Sequence, residues 1–295
     1  MLVVREISGG ALEQVEHRQT GTRLGEGLRA SGSLHPDAVL RTLAAVRELT
    51  ARAGELGAAL SCIATSAVRR ADDGASFAAR VAQVTGVPLV VLDGLTEARA
   101  SYLGATSGSP HDGLRTAVLD IGGGSTELAL GCDGVLLGAH SIEVGSVRIG
   151  ERHPDLLGGA SGAAARAATV RARAEIDELI APFGALCPVE RILCVAGTPL
   201  TLAAVAFESH VDRVSGRMLT REVLEKTLDR LLAANLEERR ALPGMLPQRA
   251  DILVAGGLIL AQTLRLLGAT EARLESNDLL LGYVLIGRRN SVATG

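Results

Sequence analysis

The sequence predicts a two-domain α/β protein, and three observations carry that expectation. The chain has 295 residues, about twice the common domain size of roughly 100–150 residues. Apolar runs of strand length alternate with segments of helical periodicity from end to end, as in layered α/β architectures. The polar stretch Thr106-Ser107-Gly108-Ser109-Pro110-His111-Asp112-Gly113 breaks that alternation and marks a hinge. The expected domains are therefore 1–112 and 113–295, flanking a cleft.

Residues 2–7 and 12–18 read as two strands joined by a turn at Ser8-Gly9-Gly10-Ala11. A helix is expected over 36–53, with Pro36 in its first turn and Val39, Leu43, Val46 and Leu49 on one face. Ala58–Ile63 and Val87–Leu92 are short apolar strands, with a helix near 75–84 between them, and a short helix starts over Glu97–Tyr102. After the hinge come strands at 116–120, 126–131 and 134–139 and a strand ending at Gly145. A helix near 146–152 and a Gly/Ala/Ser-rich loop over 157–165 follow. Helices near 166–181, 198–206 and 220–233, a strand at Ile192–Ala196, a long helix near 249–266 and a final strand–helix pair complete the reading.

Composition narrows the function. The chain is 47% hydrophobic and 21% charged, ordinary for a globular protein. Aromatics are only 2%, which argues against base-stacking platforms. A net charge of −3 gives no basic footprint for nucleic acid or a membrane surface. Lys226 is the only lysine, so phosphate contacts would be made by forked guanidinium groups. Cys62, Cys132, Cys187 and Cys194 have neither zinc nor disulfide spacing. The first residues lack a signal-peptide layout and no apolar run approaches 18 residues, so a reducing cytoplasm is the expected location. The six histidines lack ligand spacing, and a homodimer is the default assembly.

The sharpest signal is Thr116-Ala117-Val118-Leu119-Asp120-Ile121-Gly122-Gly123-Gly124-Ser125-Thr126-Glu127-Leu128-Ala129-Leu130. An apolar strand runs into an acid, three glycines turn the chain, and a second strand leaves. Glycines permit positive φ and let N–H groups converge on an anion. Ser125 and Thr126 add hydroxyl donors, and Asp120 and Glu127 flank the turn, placed to hold a divalent cation or a water. A Walker A loop would need GK[ST] opening a helix. This loop lacks the lysine and leads into a strand, so it is a different phosphate cradle.

Asp120–Glu127 resembles the second phosphate loop of the exopolyphosphatase / guanosine pentaphosphate phosphohydrolase family. The likeness continues in order along the chain. Arg23-Leu24-Gly25-Glu26-Gly27-Leu28, Ala64-Thr65-Ser66-Ala67-Val68-Arg69 and Asp93-Gly94-Leu95-Thr96-Glu97-Ala98-Arg99 resemble the family's RLGEGL, ATSAxR and SGxxEA elements. Gly145-Ser146-Val147-Arg148-Ile149 resembles GxVRL, and Val195-Ala196-Gly197-Thr198 resembles GxAGT. Arg249-Ala250-Asp251-Ile252-Leu253 with Ala255-Gly256-Gly257 resembles RADVIxxGG. The resemblance implies an actin, Hsp70 and sugar-kinase-like (ribonuclease H-like) fold, in a short form without a C-terminal helical domain. The family opens with a first phosphate loop of the type Asp-x-Gly-Ser/Thr-Asn-Ser. The chain begins inside the strand that follows such a loop, short of it by ~12 residues, one strand and a turn. A start codon placed too late is the expected reason. The segment Ser276–Gly282 carries Leu281 where the family has a charged residue.

The resemblance also implies roles. Gly122, Gly123, Gly124, Ser125 and Thr126 would cradle the phosphate, with Arg69 and Arg148 as further phosphate contacts. Asp120 and Glu127 would hold Mg²⁺ or Mn²⁺. Glu97 would be the general base, and Glu127 would help position the metal or the water. The substrate would be inorganic polyphosphate or guanosine pentaphosphate, cut at its terminal phosphoanhydride. Two other classes stand beside this reading. One is a non-catalytic nucleotide, alarmone or polyphosphate sensor that has lost the first phosphate loop. The other is a sugar or acetate kinase of the same superfold, which has no use for a base at residue 97.

Overall fold

Leu2–Glu6 (β1) pairs with Leu12–His17 (β2) as an antiparallel ribbon, and Gly9 and Gly10 take left-handed φ of 83° and 78° in the turn. This opens a computed structural model that describes residues 1–158 and 162–293. A short helix, Leu28–Ser31 (α1), precedes the long Pro36–Glu55 (α2). Pro36 occupies the first turn of α2, and the His35 ring accepts from the Asp37 N–H. Cys62–Ala64 (β3) and Leu89–Val91 (β4) pair in parallel, connected through Ser66–Arg70 (α3) and Gly74–Thr85 (α4). Leu28, Leu34, Val39, Leu43, Val68, Phe77 and Val81 form the core of this first compact unit, Met1–Asp93.

The second unit, Gly94–Gly295, begins with Gly94–Thr106 (α5). Thr116–Ile121 (β5), Thr126–Cys132 (β6) and Val135–Ile142 (β7) form an antiparallel meander. Ser146–Arg152 (α6) and Gly162–Ile180 (α7) follow, then Arg191–Val195 (β8), Gly197–Ala206 (α8), Met218–Thr220 (β9), Arg221–Ala233 (α9) and Leu236–Arg240 (α10). Leu253–Leu266 (α11), Glu271–Leu274 (β10) and Leu279–Ala293 (α12) complete the chain. The sheet order is β7-β6-β5-β8-β10-β9, with β8 parallel to β5 and β10 parallel to β8. A meander continued by parallel strands on its first member is the ribonuclease H-like arrangement expected from the sequence.

Both faces of this sheet are covered, which is why every residue of β5 is buried. The strand period of two sorts the side chains. Ala117, Leu119, Ile121, Leu128 and Leu130 enter the large core made with α7, α8, α9 and α11. Val118 and Ala129 pack on the opposite face against Ala98, Tyr102, Leu103 and Ala105 of α5. Asp120 and Glu127 share the parity of Val118 and Ala129, so they too lie on the α5 face.

Several boundaries differ from expectation. The compact units divide between Asp93 and Gly94, so residues 106–113 lie inside the second unit. The reason is α5, which buries most of its length on the second unit's sheet. The strand expected at 58–63 is Cys62–Ala64, and the Ser66–Arg70 segment that follows it is helix α3. One strand, β7, replaces two, and α11 starts at Leu253 after a 3-10 turn at Pro247–Arg249. Of the loop expected over 157–165, residues 159–161 lie outside the described residues, and α7 already starts at Gly162. Among the described residues the four cysteines are free, and no helix is long and apolar enough to cross a membrane.

Candidate active site

Asp120 is the last residue but one of β5 and Glu127 the second of β6, and the two are direct cross-strand partners. Opposed residues of an antiparallel pair hold their Cβ atoms about 4.5–5.5 Å apart. Both carboxylates are buried. Ser101 of α5 donates to Asp120 Oδ2 at 2.6 Å, and Ser141 of β7 donates to Glu127 Oε1 at 2.7 Å. Burial, with the Asp120 and Glu97 charges behind it, pushes the Glu127 carboxyl up to about 9. Burial likewise raises Asp120 to about 7, opposed by the Ser101 hydrogen bond and reinforced by the charges of Asp278 and Glu97.

Glu97 lies one helical turn before Ser101 on α5 and is buried as well. The same helix crosses α12 closely through glycines. Gly104 leaves no room for a Cβ against the Asp278 carbonyl, nor Gly282 against the Ala100 carbonyl. This glycine-to-backbone crossing of α5 and α12 brings Asp278, whose Oδ1 caps the Leu280 N–H at 2.9 Å, into the field of Asp120. Sequence reasoning did not select Ser101, Ser141 or Asp278. The available signals were the i, i+4 spacing of Glu97 and Ser101, and an aspartate just before a final helix.

The glycine turn has a different basis from the one expected. Gly122, Gly123 and Gly124 are not among the left-handed glycines. Close approach explains them instead. A Cβ on Gly123 would stand 3.1 Å from Val147 Cγ2, and one on Gly145 would collide with the Gly123 carbonyl. The Gly122 N–H donates to the Ser125 carbonyl at 3.0 Å. The carbonyls of Gly122 and Gly123 accept from the Ser146 and Val147 N–H groups, each at 3.0 Å. With those carbonyls drawn onto α6, no acceptor among the described residues takes the N–H of Gly123 or Gly124. An anion is their natural partner.

The hydroxyls play other parts. Thr126 is fully buried on the far face and donates to the Val144 carbonyl at 2.5 Å, so it shapes the turn from beneath. Ser125 is buried and bonds Glu127. Arg148 on α6 is nearly buried and pairs with Glu143 at 2.9 Å. Arg69 belongs to the first unit, where its guanidinium donates to the Leu92 carbonyl at 2.6 Å. Glu97, Asp120, Glu127, the turn and Arg148 are thus assembled within the second unit. Among the described residues, no three His, Cys, Asp or Glu side chains form a cage for a metal ion.

The sequence pattern of the Ppx/GppA phosphatase family matches residues 3–277. The chain belongs to this family. Exopolyphosphatase 2 of Mycobacterium tuberculosis is 31% identical, over 95% of this chain and 91% of that protein. The crystal structure of an exopolyphosphatase-like protein is 30% identical with a TM-score of 0.85, covering 94% of this chain and 93% of that one. The Ppx/GppA enzyme of Aquifex aeolicus is 25% identical with a TM-score of 0.78, covering 96% and 93%. Within a Ppx/GppA phosphatase frame, the arrangement offers N–H donors for a phosphate, a buried carboxylate pair and a third carboxylate on α5. Such a site can hold an anion, collect positive charge between the two strands, and accept a proton.

Proposed function

We propose that this chain removes the terminal phosphate of inorganic polyphosphate or of guanosine pentaphosphate, with Glu97 as general base and Mg²⁺ or Mn²⁺ as cofactor. The observation that carries the reading is the Asp120–Glu127 pair astride a glycine turn in which no described residue accepts from the Gly123 and Gly124 N–H groups. The name of the mycobacterial relative supports polyphosphate as the substrate class.

The residues fit a hard divalent cation. Asp120 is held by the Ser101 hydroxyl and Glu127 by the hydroxyls of Ser141 and Ser125, which fixes the orientation of both carboxylates. Magnesium commonly takes one or two carboxylates and completes its shell with water and substrate phosphates, so a three-acid cage is not required. Asp120 and Glu127 would hold the ion, which when bound supplies charge neutralisation on the phosphate oxygens. The Gly123 and Gly124 N–H groups orient the terminal phosphate, and a carboxylate at Glu97 takes the proton from the attacking water. Phosphate leaves together with a chain one unit shorter.

The test is release of inorganic phosphate from polyphosphate and from guanosine pentaphosphate, with and without Mg²⁺. Metal-dependent release from either substrate is expected. Tight binding of both without turnover would overturn catalysis in favour of a sensor.

A further inference from the structure

The turn is strapped by the segment that follows β7. Thr126 holds the Val144 carbonyl from below. Gly145 is pressed against Gly123 and Gly124, and the Ser146, Val147 and Arg148 N–H groups reach the Gly122 and Gly123 carbonyls. Residues 143 and 148 are therefore fixed to the same short stretch of backbone that forms the turn. Their side chains meet as an ion pair, Arg148 Nη2 to Glu143 Oε2 at 2.9 Å.

The two partners are unequally solvated. The Arg148 side chain is 11% exposed and that of Glu143 is 44% exposed. A guanidinium so nearly buried is strongly disfavoured without an anion beside it, whereas a half-exposed carboxylate regains its hydration readily when released. A terminal phosphate carries more charge than a carboxylate and offers the guanidinium fork two acceptors. Exchange of one anion for the other is thus the low-cost change at this position.

We propose that Glu143 is a displaceable counter-ion for Arg148, which holds the guanidinium beside the glycine turn until a phosphate group replaces the carboxylate. This rests on the turn being the phosphate cradle. It makes Glu143 a residue that sets phosphate affinity and the rate at which product leaves, rather than one that takes part in the chemistry.

The test is Glu143→Gln, which keeps size and one hydrogen-bonding oxygen but removes the competing charge. Inorganic phosphate is titrated by calorimetry, so the result does not depend on turnover. The variant should bind phosphate about tenfold more tightly, the scale of one charge-assisted contact no longer opposed. The gain should shrink at high ionic strength and vanish when Arg148→Gln is added. If the variant hydrolyses polyphosphate, KM should fall while kcat stays level or drops through slower phosphate release. Unchanged phosphate affinity would overturn the proposal, and weaker affinity would make the pair a fixed brace. Tighter phosphate binding in a protein that hydrolyses nothing would leave this inference standing and remove only the proposed activity.

Discussion

Asp120 and Glu127 face one another from adjacent antiparallel strands, on the one sheet face that α5 covers. Two buried carboxylates at that separation do not both ionise easily, so the site demands either protons or a cation.

Cation binding should therefore compete with protons. Asp120 at about 7 and Glu127 at about 9 must lose their protons to coordinate an ion. Mg²⁺ and Mn²⁺ affinity should rise as pH increases from about 6.5 to about 9. Titration calorimetry in buffers of different ionisation enthalpy should register proton release. A flat pH dependence would remove both residues from the metal site.

Stability without metal should move the opposite way. In the unfolded chain the two groups ionise near their ordinary 3.8 and 4.5, well below their values in the fold. Their raised folded values contribute stability that is complete below the unfolded values and is lost as pH rises through about 7 and about 9. In EDTA, Tm should fall across that range, and Glu127→Gln should flatten the slope. An unchanged slope in the variant would place the pH dependence elsewhere.

Glu97→Gln keeps size and hydrogen bonding but cannot accept the proton. Turnover should fall by roughly 10²–10⁴, while the polyphosphate dissociation constant stays near that of the wild type. The two are separated by kcat beside an equilibrium titration. A parallel loss of both would make Glu97 a binding or folding residue.

Gly104→Ala and Gly282→Ala each place a methyl group on a backbone carbonyl across the α5–α12 contact. Either should destabilise the protein by about 1–3 kcal/mol in urea unfolding, the usual range for overpacking. Activity should drop beyond what lost folding explains, because α5 carries Glu97 and Ser101. Wild-type kcat in a folded Gly104→Ala protein would show that helix placement is not limiting.

The parts of the site legible in the sequence are those made by neighbours along the chain. An apolar strand, an acid, a tight turn and a second apolar strand already determine that Asp120 and Glu127 oppose each other. The purpose of the glycines was less visible, because close packing on Val147 and Gly145 depends on a segment some 20 residues on and not on local φ preference. Helix α5 was visible as an element but not as a member of the second unit, since the polar stretch at 106–113 marks the surface between α5 and β5 and looks like a linker. Ser101 and Asp278 were least legible. Their role arises from a helix crossing between residues 100–104 and 278–282, and no local pattern encodes a contact of that range.

The crossing of α5 with α12 also has a consequence for biosynthesis. The helix that carries Glu97 emerges well before the backbone it crosses at Asp278 and Gly282. Chains fold progressively as they leave the ribosome, so α5 can settle on β5–β7 before its contact with α12 exists. A chain released before residue 278 accordingly lacks the α12 side of this crossing and the Asp278 charge that acts on Asp120.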